Sequence, residues 1–181
     1  DKSDASNVVA ASKQFNKIIS DITSLSAPED GIIVSSGKLL YESNITEPFA
    51  HGEAEISVRY QNESDFNSLD GRIKKIISSR KFRKLIDCTI EGGAKRPPVE
   101  KTEEVANVYS ILKGIADKLD MRLLEEHRWS SADISFSLNN ERIDGLGPIG
   151  VKPQNGGEYI LQHSLIERTA LLAMLLLELN S

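Results

Sequence analysis

The chain of 181 residues is long enough for one or two domains, and with 39 % apolar residues it can bury a core. Its 22 Lys and Arg against 27 Asp and Glu give a formal net charge of −5, which argues against a general nucleic-acid binder. A single cysteine, Cys88, excludes an intrachain disulfide framework and fits a reducing, cytoplasmic compartment, where it reads as a small buried hydrophobe.

Ser6 or Asn7 is expected to cap a first helix, whose apolar stripe is Val8, Ala11, Phe15, Ile18, Ile22 and Leu25. "SAPEDG" breaks it. "GIIVSSGKLLYES" reads as extended chain with a turn near Ser36–Gly37. "EAEISVRY" alternates, with Ala54, Ile56, Val58 and Tyr60 on one face and charged or polar residues on the other, as in a half-exposed strand. A second helix is expected from about Asp65, with Phe66, Leu69, Ile73, Ile76 and Ile77 inward. "KLIDCTIEGG" reads as a strand with Ile86, Cys88 and Ile90 on one side. One sheet with two helices on one face is the economical packing of these pieces.

"GGAKRPPVEK" has two glycines and two prolines, which rule out regular structure and mark a domain junction. Beyond it, Thr102 is expected to cap a helix whose stripe is Val105, Val108, Ile111, Leu112, Ile115 and Leu119. "MRLLEE" and "ERIDGLG" read as short strands, and "SADISFSL" as a short helix that Ser131 could cap. A glycine-rich loop, "DGLGPIGVKPQNGGEYI", follows, and a last helix starts near Ser164. Leu171, Leu172, Met174, Leu175, Leu176 and Leu177 cover too much of that helix for one face to bury, so a further element is expected to cover it. Its apolar run is too short to span a bilayer, and no secretory signal opens the chain. The first residue, Asp1, reads as the start of a fragment or a processed chain.

Few side chains qualify for chemistry. Arg96 follows the Gly-Gly pair and precedes Pro97 and Pro98, which hold it in place. A guanidinium there could grip a substrate carboxylate through two parallel hydrogen bonds, or it is a solvated hinge arginine. His51 (in a loop before a strand), His127 and His163 (before the last helix) form no ligand spacing and read as surface or capping residues. Asp133 is explained by a helix N-terminus, and Asp144 is expected to brace the glycine loop through backbone hydrogen bonds. Glu125 and Glu126 are expected to face opposite ways on a strand and so cannot pair as acid and base. Trp129 reads as a packing anchor.

Four stretches carry a family resemblance: "SVRYQNESDFNSL", "GGAKRPPVEKTEEV", "SADISF", and "DGLGPIG…EYI" with the closing "SLIERTALLAMLLLEL". Together they resemble the zinc-dependent exopeptidase and deacylase family, which includes glutamate carboxypeptidase, aminoacylase, acetylornithine deacetylase and succinyl-diaminopimelate desuccinylase. The implied fold is α/β. Residues 1–96 would be an α+β dimerisation or lid domain without its first strand, and residues 97–181 the C-terminal segment of the catalytic α/β domain. The implied activity is hydrolysis of an amide bond next to a free carboxylate, with two zinc ions in the parent and a homodimer formed through the lid. The N-terminal half of the catalytic domain, which carries most metal ligands, is expected as a missing partner. Neither nucleic acid nor membrane is expected as one.

By the same resemblance Arg96 would bind substrate. The last metal-ligand loop of the family carries a histidine four residues before its Glu-Tyr pair, and here that position is Gln154. A carboxamide oxygen is a weak, uncharged zinc ligand. Either the metal site has been lost or altered, or the loop is registered differently. No metal ligand and no catalytic residue is therefore assigned within this chain. Arg128-Trp129-Ser130, where the family has small glycines, and "EPFAHG", which lacks an Asn-x-x-Pro, are further departures. The alternative to a piece of a hydrolase is a non-catalytic dimerisation or regulatory module derived from one.

Overall fold

The computed structural model describes residues 2–43, 50–79, 86–126, 128–129, 132–151 and 156–180, with side chains from residue 6 onward. It combines helices with small antiparallel sheets and divides into two compact units, Asp1–Pro98 and Val99–Ser181.

In the first unit, helix α1 spans Lys2–Thr23 and buries Val8, Ile18, Ile19 and Ile22. Ser6 and Asn7, the expected caps, lie inside it. No proline or glycine separates them from Lys2, so nothing stops the hydrogen-bond ladder from running back. A short 3-10 turn at Pro28–Asp30 ends on Gly31 with φ 78°, a left-handed value that favours glycine. Strands β1 (Ile32–Ser43) and β2 (Ala50–Tyr60) then pair antiparallel, with Val34 opposite Val58 and Ile32 opposite Tyr60. The turn expected near Ser36–Gly37 is instead a bulge. The register passes from Ser36↔Ile56 to Leu39↔Ala54, so one extra residue is absorbed without reversing the strand.

Helix α2, Glu63–Ile77, buries Leu69 and Ile73. These residues join Ile18, Ile22 and Val34 in one cluster, with Ile32, Ile56 and Val58 packed against it. Both helices therefore cover the same face of the hairpin. The alternation expected for β2 holds: Ala54, Ile56, Val58 and Tyr60 are half-buried, and Glu53, Glu55, Ser57 and Arg59 are exposed. Phe15 of α1 lies over Gly52, where an added Cβ would come within 2.9 Å of the ring, and stacks at 5.7 Å from Tyr41. The strand expected over 86–90 is not formed among the described residues. Ile86 and Cys88 do rest against the core, but no neighbouring strand receives their backbone groups, and Ile90 is half exposed.

In the second unit, helix α3 runs over Glu103–Lys118 and is capped as expected, the Val105 N–H donating to Thr102 Oγ1 at 3.3 Å. It ends where Asp120 takes φ 52° and the Met121 N–H bonds back to the Ala116 carbonyl at 2.8 Å. Val108, Leu112, Ile115 and Ala116 pack on Leu171 and Leu175 of helix α4, Gln162–Leu179. Met121, Leu123, Ile143 and Leu146 fill in around them. The expected strands over 121–126 and 141–147 are absent for the same reason as above: their apolar residues pack, but no ladder forms. The "SADISF" helix is a single 3-10 turn, Asp133–Phe136, and the proposed cap Ser131 lies outside the described residues. Among the described residues of this unit, β3 (Gly150–Val151) and β4 (Tyr159–Ile160) pair antiparallel.

Leu112 is fully buried at the α3–α4 contact. We expect Leu112→Ala to destabilise the second unit by about 2–5 kcal/mol, read from faster hydrogen exchange across α3 and α4.

Candidate functional site

The first candidate is the stretch that carries Arg96. Gly92 and Gly93 take φ 110° and 151°, values that L side chains rarely adopt, so this turn depends on glycine conformation. Space around both is open, so it does not depend on close packing. Arg96 follows, exposed, and its carbonyl accepts a hydrogen bond from the Tyr60 hydroxyl at 3.2 Å. Tyr60 closes β2 and its ring lies 5.0 Å from that of Phe66 on α2. The backbone at Arg96 is thus moored to the end of β2 by a residue that the sequence presented only as an inward strand position. Partial burial, then the charge of Glu63, pushes the Tyr60 hydroxyl above its usual range.

The second candidate is the glycine loop. The Ile149 N–H donates to Ser164 Oγ at 2.9 Å, and that hydroxyl contacts the Leu161 carbonyl at 2.6 Å and the Ile149 carbonyl at 3.4 Å. The Leu161 N–H returns to the Ile149 carbonyl at 2.8 Å. Ser164 is fully buried, so these contacts fasten the base of the β3–β4 hairpin to the first turn of α4. The expected brace, Asp144, is exposed and makes no side-chain hydrogen bond among the described residues. A hydroxyl inside the helix performs that task, because it reaches the loop backbone without desolvating a charge. Gly150 is required here for space: a Cβ would lie 2.5 Å from the Tyr159 carbonyl. Gln154 lies outside the described residues. Arg96 belongs to the first unit and this loop to the second.

The remaining candidates are dispersed. His51 lies within β2, opposite Glu42, rather than in a loop; the strand simply begins earlier, at Ala50. His163 is exposed in the first turn of α4 rather than before it, and His127 lies outside the described residues. Asp133 opens the 3-10 turn. Glu125 and Glu126 are not on a strand, so alternation does not separate them. Each answers a different cation: Lys101 to Glu125 at 2.5 Å and Arg128 to Glu126 at 3.4 Å, all exposed. Trp129 is half-buried. Arg142, which the sequence did not single out, donates to the carbonyls of Ser135 and Ser137 and ties the 3-10 turn to the following chain.

Among the described residues no group of three or more His, Cys, Asp and Glu is arranged to hold a metal ion. The described side chains therefore do not fit a zinc centre by themselves. No helix among them is long and apolar enough to cross a membrane. Comparison with protein-family models, with curated proteins and with solved structures finds no match to this chain.

Two expectations follow. Ser164→Ala should cost about 1 kcal/mol, because the partly buried Ile149 N–H loses its acceptor, and exchange at that amide should accelerate. Tyr60 and Cys88 are both held above their ordinary values of 10.0 and 9.0, chiefly by burial. For a raised pKa, the stability that the neutral group contributes is complete below the unfolded value and is lost as pH rises through the folded one. The first unit should therefore lose stability as pH climbs past about 9, and a Tyr60→Phe, Cys88→Ala double variant should flatten that limb in denaturant titrations.

Proposed function

We propose that this chain is the lid and closing segment of a metal-dependent hydrolase resembling glutamate carboxypeptidase or acetylornithine deacetylase. Its substrates would carry an amide bond next to a free carboxylate, and its location would be cytoplasmic. The observation that carries this reading is the outer arc of α4. Leu171 and Leu175 are buried against α3, while Ile166, Leu176 and Leu177 are 71, 61 and 74 % exposed. So broad an apolar arc suits coverage by a whole layer rather than by a narrow helical seam. Val151, Tyr159 and Ile160, each about half exposed, extend the apolar surface along β3 and β4. In this reading the covering layer is the remainder of an α/β domain, the half that carries most metal ligands in the family. Arg96 would orient the substrate carboxylate, held near its place by the Tyr60 bond to its carbonyl and by Pro97 and Pro98. The lid would pair with a second copy, forming a homodimer.

A second reading is a non-catalytic dimerisation or regulatory module derived from such an enzyme. One experiment separates the two. The purified 181-residue chain is assayed for zinc by mass spectrometry and for hydrolysis of N-acyl amino acids, alone and joined to an N-terminal catalytic half from the family. We expect no stoichiometric zinc and no turnover alone. With the half supplied we expect turnover, and an increase in KM on Arg96→Lys. Continued silence of the joined protein would favour the module, and zinc bound one-to-one by the chain alone would overturn the division of labour.

A further inference from the structure

We draw no further inference here: the strongest candidate, the exposed apolar patch formed by the outer arc of α4 and the β3–β4 hairpin, is the surface on which the proposed function already rests, and nothing in the structure shows what covers it.

Discussion

A two-stranded hairpin is marginal in water until something covers one of its faces. That constraint organises the first unit. The inward residues of β1 and β2 form an apolar strip, and α1 and α2 meet over it through Ile18, Ile22, Leu69 and Ile73. The opposite face, with Glu53, Glu55, Ser57 and Arg59, stays in water. Close approach of α1 depends on the missing side chain at Gly52, which lets Phe15 lie on the strand, and the Tyr41 hydroxyl then reaches the Val8 carbonyl at 3.2 Å. The second unit solves the same problem differently. There the covered surface belongs to helices, with Leu112 and Leu171 fully buried between α3 and α4.

Backbone hydrogen bonding decides which apolar segments become elements. Three stretches with strand-like residues, near 86–90, 121–126 and 141–147, have apolar side chains seated on a core yet form no ladder among the described residues. Burial of alternate side chains is a property of the segment itself. A strand additionally needs a neighbour at the right distance to take its N–H and C=O groups. Where that neighbour exists, even two residues suffice, as in the Gly150↔Ile160 and Val151↔Tyr159 pairs, because Ser164 holds both ends of the hairpin to α4.

Exposed apolar surface, rather than a formed centre, is the main functional feature of the described residues. The two residues that the family resemblance would use lie in different units, and Gln154 is outside the described residues. What stands out instead is exposed apolar area on α4 and β3–β4. Under the proposed function, a further layer of polypeptide would cover that surface.

Periodicity determined the helices. The stripes of α1 and α2, that of α3 apart from the exposed Ile111, the Thr102 cap and the alternation of β2 were legible, because spacings of three, four and two residues follow from local geometry alone. The excess apolar circumference of α4 was legible too, since composition around a helix needs no partner to be counted. Tertiary structure alone decided the rest. Whether Ser36–Gly37 turns or bulges depends on the strand opposite, and whether 86–90 pairs depends on what lies beside it. The mooring of Arg96 by Tyr60 and of the glycine loop by Ser164 joins residues that periodicity treats as unrelated. A hydroxyl's partner is set by where the folded chain brings a carbonyl or an N–H, and no spacing rule along the sequence encodes that meeting.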